Sequence, residues 1–179
     1  MTPMKTNVVE TERLTLRPLT PADAGAYAAI RYHPEVVKWM LPAPADPIEA
    51  ARAAIERYAT GWRERGCGPW GVFHEGRQIG HAGLNFVPEF GETEVLWSLH
   101  PDAWGQGFAT EAARAALDLG FRTLGMKMIF AITKPDNRAS QAVMTRLGLT
   151  YRKNVVYRGF DSVWFDIDSA GWRKLEQGR

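Results

Sequence analysis

Residues Trp104-Gly105-Gln106-Gly107-Phe108-Ala109-Thr110-Glu111-Ala112 confine this chain more than any other stretch. An extended apolar run, Glu94 to Leu99, precedes them, and apolar residues at helical spacing follow. A strand, a glycine-spaced turn and a helix N-terminus, in that order, present backbone N–H groups to an anion. The first turn of a helix has N–H groups without internal partners, and the dipole adds roughly half a positive charge there. Gly105 and Gly107 let the backbone approach a phosphate with no Cβ in the way. The stretch therefore predicts strand and helix in one layered unit, with a phosphate-bearing ligand at their junction.

The rest of the chain punctuates itself clearly. Arg13 to Arg17 alternates as a half-buried strand should. Thr20 reads as an N-cap, with Pro21 at the first helical position, and that helix ends by Pro34. Asp46 and Glu49 have the spacing of a capping box, and Ile48, Ala51, Ile55, Tyr58 and Trp62 recur at helical spacing up to Gly66. Trp70 to Phe73 and Gln78 to Leu84 flank Glu75-Gly76-Arg77 as a hairpin, and Glu92 to Leu99 is the next strand. The helix after the glycine turn runs to Gly125. Met128 to Thr133 reads as a strand covered on both faces. Asp136 or Asn137 caps a further helix, stopped by Gly148. Val155 to Tyr157 and Val163 to Ile167 pair around Gly159-Phe160-Asp161, and residues 1–10 read as a loose start.

Composition removes several function classes. At 179 residues with 45% hydrophobic and 23% charged content, the chain suits one α+β (mixed α/β) domain over 1–179. A net charge of +2 gives no bulk electrostatic case for nucleic acid. No apolar run approaches the ~20 residues that span a bilayer, and no signal segment opens the chain, so the expectation is a cytoplasmic protein without membrane contact. Cys67 is the single cysteine and stands as a bystander in a loop, since it has no partner for a disulfide.

Two phosphate motifs fail at the glycine turn. A P-loop closes on Gly-Lys-Ser/Thr, and here Phe108-Ala109-Thr110 follows Gly107 with no lysine. A dinucleotide fingerprint needs three glycines near the start of a βαβ unit, and this turn has two, past the midpoint of the chain. What the segment does resemble is the GNAT superfamily of acyl-CoA N-acyltransferases. The superfamily pattern Arg/Gln-x-x-Gly-x-Gly/Ala falls on Trp104 to Ala109, where Gly107 and Ala109 match. Trp104 departs from the general pattern and looks like the ribosomal-protein N-acetyltransferase-like (RimJ/RimL-like) branch, which carries Trp-Gly-x-Gly-Tyr/Phe-Ala-Thr-Glu-Ala. Glu12 to Arg17, Gln78 to Leu84, and Asn137 to Ser140 with Leu147 to Leu149 resemble the same branch in the same order.

The resemblance implies a twisted, mostly antiparallel sheet of about seven strands, splayed at the cofactor site, with helices on both faces. It implies acetyl-CoA as acyl donor, no metal, and a monomer or homodimer. The pyrophosphate would lie on the backbone of Gly105, Gln106, Gly107, Phe108 and Ala109, with the Thr110 hydroxyl beside it and Trp104 packing nearby. The pantetheine arm would pair like a strand with Trp97, Ser98 and Leu99, and Asn137 would contact it. Arg138 and Arg146 stand either as contacts of the distal phosphate and adenine or as ordinary exposed arginines.

Aminolysis of a thioester needs a neutral amine, a held oxyanion and protonation of the leaving thiolate. Glu94 shares a face with Leu96 and Ser98 by period two, and stands either as the base or as a solvated edge carboxylate. Glu92 and His81 are lesser candidates. A backbone N–H near Leu99 suits the oxyanion. Many family members place a tyrosine where this chain has Met144, so Ser140, similar to the serine used by the ribosomal branch, becomes the candidate beside the sulfur. Trp39, Met40, Trp62, Phe86, Tyr157 and Trp164 line either the acceptor site or the core, and Asp161 and Glu89 lie in expected loops near it. The expected acceptor is a primary amine: a protein or peptide N-terminus, an amino acid or a small amine. The competing readings are a non-catalytic acyl-CoA-binding module, motivated by Met144, and an unrelated nucleotide-binding protein.

Overall fold

The computed structural model describes residues 7–178, so the first six residues of the expected loose start lie outside it. One sheet carries the molecule. Its strands are β1 (Val9–Glu10), β2 (Thr15–Pro18), β3 (Pro69–His74), β4 (Arg77–Val87), β5 (Glu92–Leu99), β6 (Met128–Thr133), β7 (Thr150–Tyr157) and β8 (Phe160–Asp168), in the order β1-β2-β3-β4-β5-β6-β8-β7. The expected count of about seven becomes eight because Val9–Glu10 adds a short edge strand to the segment read as loose. Every neighbouring pair is antiparallel except β5 and β6.

The helices are α1 (Ala24–Arg31), α2 (Pro34–Val37), α3 (Pro47–Arg65), α4 (Phe108–Asp118), α5 (Arg138–Arg146) and α6 (Ser169–Gln177). α3 begins where Asp46 accepts from the Glu49 N–H at 3.0 Å and stops at Gly66, whose φ of 70° admits a left-handed end. The segment after Thr20 starts as a short 3-10 turn over Pro21–Asp23 before α1 takes over. α4 passes into a π-helical turn over Leu119–Thr123 before Gly125. α6 was not expected. Its signal is Asp168, which accepts from the Gly171 N–H at 2.7 Å, followed by Trp172 and Leu175 one helical turn apart.

The two long hairpins turn on residues with positive φ, Glu75-Gly76 (49° and 77°) and Arg158-Gly159 (49° and 81°). Both central residues are left-handed, the geometry that matches strand twist in a two-residue loop. The second turn thus sits one residue earlier than the sequence indicated, and Phe160 and Asp161 belong to β8.

Layers form on both faces of the sheet. Ala112, Ala113, Ala116 and Leu117 of α4 are fully buried in the same cluster as Ala82, Leu84 and Val95, because alanines let the helix lie close to the strands. On the other face, α1 and α3 meet through Tyr27, Ala28, Ala51, Ala54 and Ile55. Trp62 belongs to the core, its ring 5.3 Å from Trp70, and Cys67 is buried in the same cluster, consistent with a bystander thiol. No helix among the described residues is long and apolar enough to cross a membrane.

Candidate active site

The site arises where the sheet comes apart. β5 and β6 are joined by a single bridging pair, Glu94 with Phe130, and then diverge toward their C-terminal ends. The β4–β5 register is regular from Val87↔Glu92 to Gly80↔Leu99, and the His100 N–H donates to the Ile79 carbonyl at 2.8 Å. In an antiparallel ladder the peptide groups point alternately toward and away from the partner strand. His100, Ser98, Leu96 and Glu94 therefore turn their peptide groups to β4, while Trp97 and Leu99 turn theirs to the open side. Of the three residues expected to pair with an extended ligand, Trp97 and Leu99 have the peptide groups to do so, whereas those of Ser98 are engaged with β4.

A cavity of about 660 Å³ fills the gap. It brings together Trp97, Ser98, Leu99, Trp104, Gly105, Gly107, Phe108, Ala109, Thr110, Asn137 and Ser140 from the sequence reading. Glu94 does not line it, and neither does Gln106. Its side chain turns out to bond the Asp102 carbonyl at 2.9 Å, and its own carbonyl accepts from Arg13. Trp104 is 44% exposed at the cavity, and its Nε1 donates to the Leu99 carbonyl at 2.8 Å. That bond ties the end of β5 to the turn and leaves the Leu99 N–H available. Met144 closes the floor at 1% exposure.

Two helix N-termini point into this space. α4 starts on Gly107, with φ of 82° and no side chain to cap the helix. The first N–H groups of α4 are thus left for a ligand. α5 starts on Asn137, whose Oδ1 accepts from the Ser140 N–H at 3.2 Å. The turn is held from behind. Arg13 donates through Nη1 to the Gln106 carbonyl at 2.8 Å and pairs with Glu111 at 2.7 Å, while its guanidinium lies 4.5 Å from the Phe108 ring centre. Glu111 also accepts from the Thr11 hydroxyl at 2.6 Å and the Arg13 N–H at 2.8 Å. Burial raises the Glu111 carboxyl, but these donors outweigh it and the pKa ends below its ordinary value. Nothing in the local sequence pattern announced this network, because its partners lie about a hundred residues apart.

The opposite face of β5 carries the acid-base groups. Glu94, opposite Asn85, shares that face with Ser98 and His81. It is half-buried, and burial pushes its pKa up to about 7, against the Asn85 amide 3.3 Å away and the charge of Arg158, with Glu89 adding to the rise. A carboxyl with a pKa near neutrality can take up or release a proton there. His81 is 2% exposed, with its ring centre 4.9 Å from that of Tyr27; burial and the charge of Arg31 hold its pKa down at about 3. It is neutral and too weak a base for the role.

Trp39 and Met40 line the cavity. Tyr157, whose ring centre is 5.4 Å from that of Phe90, senses the charge of Glu94. Trp164 is buried and stacked on Phe130 at 3.9 Å, and Phe86 lies under Arg65, so neither adds to the cavity wall. Arg146 lines the cavity and also a more open groove beyond the turn, along Arg114 and Arg122.

Comparison with known proteins gives consistent relatives. Residues 13–150 match the family model described as acetyltransferase (GNAT) domain. The chain is 29% identical over 156 residues to the N-acetyltransferase YoaA of Bacillus subtilis, covering 86% of this chain and 87% of that one. It is 30% identical over 154 residues to the N-acetyltransferase p20 of Bacillus licheniformis, covering 84% and 85%. The structure is similar to an acetyltransferase from Agrobacterium tumefaciens, with a TM-score of 0.80, 30% identity and coverage of 92% and 95%. Its fold is also that of a ribosomal-protein-S5-alanine acetyltransferase from Vibrio fischeri, with a TM-score of 0.78, 18% identity and coverage of 92% and 98%.

Proposed function

From the premise that the chain belongs to the GNAT acetyltransferase family and is an acyltransferase, we propose that it moves the acetyl group of acetyl-CoA to a primary amine by direct attack in a ternary complex. One observation supports this most: an uncapped, glycine-started helix N-terminus opens into the same cavity as the open-side peptide groups of Trp97 and the N–H of Leu99. A pyrophosphate suits the first N–H groups of α4 with the Thr110 hydroxyl, and an amide-bearing arm suits the strand edge.

The chemistry follows from what stands around the gap. The amine nitrogen attacks the thioester carbon, an N–C bond forms, and the carbonyl electrons move to oxygen. The Leu99 N–H is the donor placed to hold that oxyanion. Glu94, directly or through one water, takes a proton from the nitrogen. The intermediate collapses with cleavage of the C–S bond, and the thiolate takes up a proton to leave as free CoA thiol. Ser140 offers a hydroxyl at the cavity wall to hydrogen-bond the departing sulfur, with the α5 dipole favouring its charge.

Thiol release from acetyl-CoA, measured across a panel of amines, tests the reading. Release above the blank with at least one amine supports it. Tight CoA binding without release for any amine would replace it with the acyl-CoA-binding module, and thermal stabilisation by ATP but not by CoA would favour a nucleotide-binding protein.

A further inference from the structure

A cation with one buried, unpartnered nitrogen lies on the face of the sheet that carries His81 and Glu94. Arg31 ends α1, which packs across β4 and β5 on the side away from α4. Its Nη1 is buried and has no hydrogen-bond partner, although the residue as a whole keeps some access to solvent. Among the described residues, the other half-exposed arginines are paired, Arg17 with Asp23 at 2.9 Å and Arg114 with Glu176 at 3.0 Å. Among the described residues no carboxylate pairs with Arg31, whose guanidinium lies 5.1 Å from the Tyr32 ring centre.

The tyrosines and the histidine that feel the Arg31 charge supply no anion. The Tyr27 and Tyr58 hydroxyls bond each other at 3.0 Å, and burial, the largest influence on each, keeps both phenols protonated. His81, which feels the charge of Arg31, is neutral. Ser98, directly opposite His81, has a buried Oγ that also lacks a partner. Glu94 lies on the same face of β5 as Ser98, four residues before it. Withdrawing a guanidinium from water without an anion is costly, and an incoming carboxylate would offset that cost with charge-assisted hydrogen bonds.

Resting on the acetyl-transfer reading above, we propose that the acceptor carries a carboxylate as well as its amine. The carboxylate binds Arg31, with the Ser98 hydroxyl beside it, and the amine faces Glu94. Polyamines and amidated amines lack the matching charge and are the disfavoured acceptors.

Matched acceptor pairs test this: alanine against alaninamide, and 4-aminobutyrate against butylamine, with spermidine as a polycation. The acid of each pair is expected to have a KM about 10- to 100-fold lower than its neutral counterpart. In Arg31→Gln that preference collapses, and Arg31→Lys keeps part of it. Equal use of acid and neutral counterpart by the native protein overturns the proposal. So does a loss of rate in Arg31→Gln that leaves the preference intact. Calorimetric titration of the CoA-saturated protein with 4-acetamidobutyrate and with N-butylacetamide reads the same site without turnover. Binding confined to the carboxylate and lost in Arg31→Gln supports the anion site even if no amine is acetylated, in which case only the transfer reading fails. Indifference to the carboxylate alongside measurable turnover rejects the anion site and leaves the transfer reading standing. Should Arg31→Gln melt early by circular dichroism, the native pairs and Arg31→Lys decide.

Discussion

Two helix N-termini face one cavity and are finished in opposite ways. α4 begins on Gly107, which has no side chain to satisfy the helix. α5 begins on Asn137, whose own oxygen takes up the Ser140 N–H. A capped end has used a donor internally and offers its side chains instead; an uncapped end keeps its N–H groups for a partner from outside. On the acetyl-transfer proposal, the contrast fits anion binding at α4 and presentation of Ser140 by α5. It also explains why Arg13 braces the α4 turn from behind through the Gln106 carbonyl, since a loop that must stay open needs external support.

Four substitutions press on that contrast. Gly107→Val should have the largest effect, lowering CoA affinity by about a thousandfold in calorimetry, because it strains a φ of 82° and puts a Cβ 3.3 Å from Arg13 Nη2. Retained affinity would show that the α4 end is not the anion site. Glu94→Gln lies outside both helix ends and should leave CoA affinity alone while reducing kcat/KM by about a hundredfold. The base works when deprotonated, so native kcat/KM should climb as pH rises through about 7 and then level, and the variant should lose that limb. A matching limb in the variant would clear Glu94 of the role. Ser140→Ala should lower kcat by about tenfold with CoA affinity nearly constant; an unchanged rate removes Ser140 from the departure of the sulfur. Asn137→Ala should be the mildest, costing about 1 kcal/mol and lowering Tm by roughly 2–4 °C in a thermal melt. A gain in CoA affinity in that variant would mean the freed α5 end binds anions too, and the contrast would narrow to which end is normally open.

The glycine turn with its flanking strand and helices was largely legible because it is built from backbone and local punctuation. Gly105 and Gly107, the alternation into Leu99 and the cap at Asn137 each act within a few residues, and β5 and β6 have the bounds their patterns indicated. β1 escaped because two residues carry no periodicity, and β7 ran longer than expected because Tyr151 to Asn154 is exposed and polar at a sheet edge. Contacts made across the fold were far less legible. The bracing of the turn by Arg13 and the isolation of Arg31 depend on residues distant in sequence. Aromatic residues illustrate the same limit: Trp39 lines the cavity and Trp62 lies in the core, though nothing in their local spacing separates them.

The single bridge between Glu94 and Phe130 has a mechanical consequence. As a hydrogen-bonded object, the sheet is two panels riveted at one rung, with the proposed base at the rivet. Beyond that rung, among the described residues, no ladder pairing joins β5 to β6. An extended donor lying along Trp97 and Leu99 would be a strut between the panels as well as a reactant. Each turnover would then remove a structural member, and the free protein should be the more compliant form, opening first along the inner edge of β5.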